Sequence, residues 1–139
     1  MRQVDVAIIG GGPAGLAAAV ELWKKGVRNL VILEREKQLG GILRQCIHDG
    51  FGLRRFKETL SGPEYAQRFI DLRQELGIPY ITEATVIRIT EDKQVYAAAP
   101  KGMVEIQAKA VILTMGCRER TRGAISIPGN RPAGVYTAG

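Results

Sequence analysis

The chain has 139 residues, 45% hydrophobic and 24% charged, a balance typical of one ordinary globular domain and not of a disordered or fibrous chain. Its 20 basic and 14 acidic residues give a net charge of +6, but the densest basic groups, at positions 54–57 and 118–122, lack interleaved aromatic residues, so nucleic-acid binding is not expected and these groups are typical of solvated surface. Two cysteines without a CxxC pair and a single histidine argue against a zinc site or a disulfide framework.

The first predicted elements form a βαβ unit. A β-branched apolar run at Val4–Ile9 indicates a buried strand, which ends at three consecutive glycines. Ala14–Lys25 is rich in helix formers and is preceded by Pro13, which suits a first helical turn. Leu30–Leu33 predicts the second strand, parallel to the first. The opening run is too short for a signal sequence or a membrane span, so we expect a soluble, cytoplasmic protein with reduced thiols.

An irregular stretch at 34–60 separates this unit from a second helix, which Gly62 and Pro63 open and Gly77 closes. The apolar stripe of that helix consists of Tyr65, Phe69, Leu72 and Leu76. Ile78–Ile81 is expected to return as another parallel strand.

The remaining sequence predicts further strands. Alternating apolar and polar residues at Thr85–Thr90, Gln94–Ala99 and Met103–Ala108, separated by turn residues, indicate an antiparallel meander. Ala110–Leu113 and Val135–Thr137 predict two more short strands. The fold class is therefore α/β, with a parallel sheet, flanking helices and an antiparallel β-meander.

The glycines after the first strand have the G-x-G-x-x-G spacing at Gly10, Gly12 and Gly15, between a strand and a helix. Gly10 permits the sharp turn, Gly12 lets a pyrophosphate approach the backbone without meeting a Cβ, and Gly15 lets the helix pack closely on the sheet. The helix start, with Pro13 and Ala14, offers unpaired N–H groups and a partial positive charge to a diphosphate. The motif predicts a dinucleotide-binding, Rossmann-like fold.

Glu34 ends the second strand, where a carboxylate can accept hydrogen bonds from the ribose hydroxyls of an adenosine. A 2′-phosphate would meet Glu34 as a like charge, which disfavours NADP at this site, although the adjacent Arg35 would attract a 2′-phosphate. The alternative is a glycine-rich turn beside an unrelated surface glutamate. Strand, glycine triad, helix, second strand and terminal acid together favour the dinucleotide site.

The motifs GGGPAG, LEREKQLGG, VILTMG and IPG resemble those of the FAD-dependent pyridine nucleotide-disulfide oxidoreductase superfamily, over nearly the whole chain. The resemblance implies that the first Rossmann unit binds the ADP half of FAD and that Gly40 and Gly41 lie along the cofactor. It places Gly116 near the flavin, in a Thr-Met-Gly sequence that departs from the usual Ala-Thr-Gly. It also implies that the strand near Val86 holds adenine through backbone groups.

The runs GGILRQCIHDGFG and GCRERTRGAISIPGNRPAGVYTAG are similar to a branch of flavoprotein subunits found beside glycerol-3-phosphate dehydrogenases and related to the α-type subunits of sarcosine oxidase, opine oxidase and hydrogen cyanide synthase. The resemblance implies electron transfer and a partner flavoprotein or dehydrogenase subunit. Relatives continue into a second domain for NAD(P)H, so residues 1–139 are expected to be a partial FAD/NAD(P)-binding domain, inactive alone. The alternatives are a non-catalytic NAD- or ADP-binding module and, more weakly, a polyanion-binding protein.

Three residues with reactive side chains have no assigned role. Cys46 has no nearby second thiol and is expected to be inert and partly buried. His48 is expected to form a structural hydrogen bond, the alternative being a proton donor to a flavin or substrate. Cys117 follows Gly116 and is expected to be a small buried side chain, although Arg118 and Arg120 could lower its pKa.

Overall fold

The computed structural model describes residues 1–136. In chain order the elements are β1 (Arg2–Ile9), α1 (Pro13–Lys24), β2 (Leu30–Leu33), a 3-10 helix (Gly41–Gln45), β3 (Asp49–Phe51), β4 (Leu60–Ser61), α2 (Gly62–Glu75), β5 (Tyr80–Ile81), β6 (Thr85–Ile89), β7 (Gln94–Ala99) and β8 (Gly102–Leu113). Six strands form one sheet in the order β5-β2-β1-β8-β7-β6, and β3 pairs only with β4.

The sheet has a parallel part and an antiparallel part. β5, β2, β1 and β8 run parallel, whereas β7 is antiparallel to both β8 and β6. Because β2 and β8 flank β1 on opposite sides, the chain changes direction across the sheet at the β1–β8 junction. Ligands of open α/β sheets bind outside the carboxyl ends of the strands at such a switch point.

Two hydrophobic clusters cover the two faces of the parallel strands. Val6 and Ile8 on β1 pack with residues of α1 and α2, including Leu16 and Phe69. The alternate residues of the same strand, such as Ile9, pack with residues of the meander. Successive side chains of a strand point to opposite faces, so the parallel sheet lies between a helical layer and the meander.

α1 and α2 have the boundary signals that the sequence predicts. Pro13 begins α1, and Gly26, just past its end, has φ +94°. At the start of α2, the Glu64 carboxylate accepts hydrogen bonds from Ser61 N (2.8 Å) and Ser61 Oγ (2.7 Å). Gly77, with φ +67°, follows the last turn of α2 in the left-handed conformation expected of a helix end.

Two strand predictions are wrong. Met103–Ala108 and Ala110–Leu113 are parts of a single strand, β8, which pairs with β7 at one end and with β1 at the other. The change from alternating to continuous apolar residues marks a change in which faces of the strand are buried, not the boundary between two strands. The last predicted strand, Val135–Thr137, is not formed at residues 135–136, which have no strand partner, and residue 137 lies outside the described residues.

The stretch predicted to be irregular contains more order than expected. It holds the 3-10 helix and the β3–β4 pair, followed directly by α2. Tyr65 of α2 lies 5.5 Å, between ring centroids, from Phe56 and 6.1 Å from Phe51, so aromatic contacts attach this stretch to α2. The fourth parallel strand, β5, is shorter than its predicted range Ile78–Ile81.

Candidate cofactor-binding site

The carboxyl ends of β1 and β8 meet at Thr114. Its backbone N–H donates to the Ile9 carbonyl at 2.8 Å. Its hydroxyl oxygen lies 2.9 Å from the same carbonyl and 3.0 Å from the carbonyl of Gly10. Thr114 therefore links the ends of β1 and β8 at the switch point, directly beside the glycine turn.

Gly10 and Gly15 are required by the packing of the turn itself. Gly10 has φ +108°, a conformation that side chains rarely adopt, and a Cβ there would overlap the Thr114 carbonyl. A Cβ on Gly15 would overlap the Gly10 carbonyl and lie 2.7 Å from Thr114 Oγ1. The structure therefore shows the sharp turn and the close helix–sheet packing that the spacing of the motif predicts.

Gly12 differs from both because the protein leaves space around it. A Cβ on Gly12 would have only Gly41 Cα within 4 Å, at 3.9 Å. Gly41 in turn has φ +58°, and a Cβ on it would lie 3.1 Å from Gly12 Cα. The two glycines thus form a shallow cradle of bare main chain that a Cβ on Gly12 would partly fill.

The start of α1 is open toward this cradle. Gly12 is the N-cap residue and supplies no side-chain cap, and the first turn contains no acidic residue. The N–H groups of Ala14 and Gly15 belong to the first turn, where helices lack internal acceptors, and Pro13 has none to offer. Backbone N–H groups and the positive end of the helix dipole can bind a phosphate group at such a site.

Glu34 lies at the end of β2 with its side chain held between backbone groups. The residue is 6% exposed. Gly11 N donates to Glu34 Oε2 at 2.7 Å, and Glu36 N donates to Oε1 at 2.9 Å. Arg35, the other candidate here, is exposed and pairs with Glu36 at 3.2 Å. A carboxylate oxygen accepts more than one hydrogen bond, so Glu34 retains lone pairs for hydroxyl donors.

Gly40 joins the glycine turn to the 3-10 helix. It has φ +113°, and its N–H donates to the Gly11 carbonyl at 2.8 Å. Gly40 and Gly41 are therefore in direct contact with the turn, and the structure brings them together with Gly12 and Glu34.

Val86 and Gly116 lie at the margins of this group. Ala84 N donates to the Glu34 carbonyl at 2.9 Å, so the chain enters β6 beside Glu34, and half-buried Val86 follows two residues later on the edge strand opposite Ala97. Gly116 is exposed, with φ +70°, two residues beyond Thr114.

Sequence reasoning misses one residue of the site, Gly11, and the contact that a second residue, Thr114, makes with the turn. Gly11 is buried, and a Cβ on it would overlap the Leu39 side chain and lie 3.1 Å from Glu34 Oε2. Thr114 contacts the turn from a position 104 residues away from Gly10 in the sequence. The run of three consecutive glycines is a signal for Gly11, whereas the Thr-Met-Gly sequence marks the position of Thr114 without predicting its contact with Gly10.

The reactive side chains have different surroundings. Cys46 is half-buried as expected, with Sγ 3.5 Å from the Ile42 carbonyl. His48 is exposed, its Nδ1 lies 3.0 Å from the Asp49 carbonyl, and its ring centroid lies 5.2 Å from that of Phe51. The prediction that Cys117 is buried is wrong, because the chain leaves the sheet after β8 and residues 115–121 are all exposed.

Two kinds of feature are absent from residues 1–136. None of the helices within residues 1–136 is long and apolar enough to cross a bilayer. Within the same range, no three side chains of the metal-binding types come together as a group.

Dinucleotide-binding α/β proteins place the pyrophosphate at the start of the first helix and an acidic residue at the end of the second strand, and the site described here has both features. The chain matches the family of pyridine nucleotide-disulphide oxidoreductases over residues 4–137 and belongs to it. Proteins of this family bind FAD and use NAD(P)H.

Two curated relatives match nearly the whole chain. It is 34% identical to an opine oxidase subunit of Agrobacterium tumefaciens over 97% of its length, and 30% identical to the hydrogen cyanide synthase subunit HcnB of Pseudomonas protegens over 99%. It covers only 27% and 29% of those two proteins. The crystal structure of L-proline dehydrogenase from P. horikoshii matches 86% of the chain at 27% identity with a TM-score of 0.72, and the chain covers 24% of it.

Proposed function

We propose that this chain is the FAD-binding part of a flavin-dependent oxidoreductase that passes electrons between FAD and NAD(P)H or a partner dehydrogenase subunit. The open cradle at Gly12 and Gly41, beside the uncapped start of α1, is the observation that carries the proposal. The fold makes no use of this space, and bound FAD supplies the redox chemistry.

The residues of the site divide the recognition of the ADP half between them. The N–H groups of Gly12, Ala14 and Gly15 bind the diphosphate without a cationic side chain. The remaining lone pairs of Glu34 accept the ribose hydroxyls, and the same carboxylate repels a 2′-phosphate. Gly10 serves this site indirectly because it allows the turn to form, and Gly15 has that role in addition to its N–H group.

The outer residues of the site complete the proposed contacts. Gly40, Gly41 and Gly116 allow close approach along the cofactor, Val86 offers backbone groups to the adenine, and Arg35 flanks the ribose from the surface. Pro13 shapes the first turn of α1 without competing for the phosphate.

The complete activity requires more protein than these residues. The chain spans between a quarter and a third of the length of the opine oxidase and hydrogen cyanide synthase subunits. We place the NAD(P)H site in a further domain, and residues 1–139 form the first part of the FAD domain. Both of those relatives are named as subunits, which supports a partner flavoprotein or dehydrogenase subunit.

The proposal predicts that the full-length protein is purified yellow, with bound FAD. Gly12→Val is expected to abolish flavin retention, because its methyl groups occupy the cradle where phosphate oxygens must lie. FAD content is measured from the visible absorbance spectrum after gel filtration. Gly123→Val is the matched control. Gly123 lies outside the site, and a Cβ there would have no heavy atom within 4 Å. Normal FAD content in the Gly12 variant would refute the proposal.

A non-catalytic module that binds NAD or ADP is the second candidate. The glycine turn and Glu34 address only the ADP portion, which FAD, NAD and ADP share. Isothermal titration of the full-length protein with the three ligands separates the candidates. Tightest binding of FAD supports the oxidoreductase, and a clear preference for NAD supports the module.

A further inference from the structure

The peptide unit between Gly10 and Gly11 is held from both of its ends. Its carbonyl oxygen, on Gly10, lies 3.0 Å from Thr114 Oγ1, which comes from the end of β8. Its N–H, on Gly11, donates to Glu34 Oε2 at 2.7 Å, at the end of β2. A planar peptide group with both ends bonded cannot rotate without losing a hydrogen bond. Three neighbouring strands therefore fix the orientation of this one peptide.

The hydroxyl proton of Thr114 has two acceptors within reach, but only one of them depends on it. The Ile9 carbonyl already accepts the Thr114 backbone N–H at 2.8 Å. The Gly10 carbonyl is too close to Gly15 to allow even a Cβ there, so it faces the packed start of α1 and not solvent. An unpaired carbonyl in such a place is costly, so the hydroxyl is the group that satisfies Gly10.

The orientation of the next peptide follows from the first. The Gly11 carbonyl accepts the Gly40 N–H at 2.8 Å. All peptide bonds of the described residues are trans, so the N–H of Gly12 points away from the Gly11 carbonyl and hence away from Gly40. Within residues 1–136 Gly12 N has no hydrogen-bond acceptor, and it lies at the open cradle.

We propose that Thr114 is a positioning residue, which acts with Glu34 to set the rotation of the glycine turn so that the Gly12 N–H is presented to the diphosphate. The identity of the ligand in this proposal rests on the proposed function, whereas the hydrogen bonds that orient the turn do not depend on it. The hydroxyl of Thr114 contacts the turn, so we expect it to act on the cofactor through the turn. Replacing its hydroxyl should therefore loosen the turn in the cofactor-free protein and weaken binding as a consequence.

The test uses two variants at Thr114 and one control in the full-length protein. Thr114→Val removes the hydroxyl and keeps the shape, whereas Thr114→Ser keeps the hydroxyl. Thr90→Val also removes a threonine hydroxyl from a hydrogen bond, with Gln94 N at 3.0 Å, but in the β6–β7 turn away from the glycine turn. Hydrogen exchange of the Gly11 amide is measured by mass spectrometry with residue-level fragmentation, on protein freed of cofactor.

Thr114→Val is expected to speed exchange at Gly11 about tenfold relative to the Ile8 amide in the middle of β1, and to raise the Kd for FAD roughly fivefold to tenfold, as loss of one hydrogen bond predicts. Thr114→Ser should restore both values, and Thr90→Val should change neither. Unchanged exchange at Gly11, or an equal increase at Ile8, would overturn the positioning role. Failure of the wild-type protein to bind FAD would count against the proposed function instead, because the exchange measurement needs no cofactor.

Discussion

The glycines of the turn after β1 are present for two different physical reasons. Gly15 is excluded from carrying a side chain by the protein itself, since its Cβ would overlap the Gly10 carbonyl. Gly12 is free of such contacts, because only Gly41 Cα would lie within 4 Å of its Cβ. Packing therefore explains the first glycine, and ligand access is the explanation we propose for the second.

This difference predicts opposite outcomes for two alanine substitutions. Gly15→Ala is expected to destabilise the fold by about 1–3 kcal/mol or more, because the added methyl group must displace main chain. Gly12→Ala is expected to cost about 1 kcal/mol or less, because alanine is a poorer N-cap residue than glycine but its methyl group would overlap no atom of the protein. Urea denaturation of the cofactor-free proteins measures both. Equal destabilisation by the two substitutions would show that the space at Gly12 does not exist in solution.

At the scale of the element, α2 begins with a hydrogen-bonded link between its third residue and the residue just before the helix. The Glu64 carboxylate accepts the hydroxyl and the backbone N–H of Ser61, and these bonds, the hydroxyl first, lower the pKa of Glu64 below its usual value of 4.5. A carboxyl group with a lowered pKa in the folded state stabilises the protein above its unfolded pKa. The stabilisation is lost as the pH falls through the lower folded pKa.

Ser61→Ala should therefore lower the melting temperature near pH 7 by a few degrees, because the helix start loses a hydrogen-bond donor to Glu64. The difference between the variant and the wild type is expected to shrink as the pH falls through the lowered pKa of Glu64 in the folded state, because the carboxylate is then protonated. Thermal denaturation followed by circular dichroism from pH 7 to pH 3 measures this. A difference that stays constant over that range would show that Glu64 does not contribute to it.

The elements that sequence predicts well are those whose signals are local. Pro13, Gly26 and the stripe around Phe69 mark α1 and α2 within one or two residues of their observed bounds. The sequence pattern divides β8 in two because its burial changes from one face to both along a single strand, and that change depends on β1 and β7. The contact of Thr114 with Gly10 escapes sequence reasoning for a similar reason, since it exists only after the sheet has formed.

For the molecule as a whole, β8 connects the layers. It pairs with β7 in the meander and with β1 in the parallel sheet, and Ile106 lies at the overlap, opposite Val95 on one side and Arg2 on the other. Ile106 is fully buried. The two hydrophobic clusters therefore share a strand, and we expect them to unfold together.

Ile106→Ala should destabilise the protein by about 2–5 kcal/mol, through the lost burial and the cavity that remains. Trp23, the one tryptophan of the sequence, lies in α1 on the helical side of the sheet. Its fluorescence therefore reports on the layer that does not contain Ile106. Its fluorescence and the circular dichroism signal should show the same, lower denaturation midpoint in the variant. Two separate midpoints would mean that the layers unfold independently.

The hydrogen bonds of the Gly11 main chain restrict insertions and deletions in the connection at residues 35–39. The Gly11 N–H is bonded to Glu34 and the Gly11 carbonyl to Gly40, so both ends of the connection at residues 35–39 are anchored on one residue. An inserted or deleted residue there would force one anchor to be released, and with it either the buried acid or the neighbouring glycine pair. Natural or engineered length variation is therefore better tolerated in the exposed segment at 53–55, which has no comparable double anchor among the described residues.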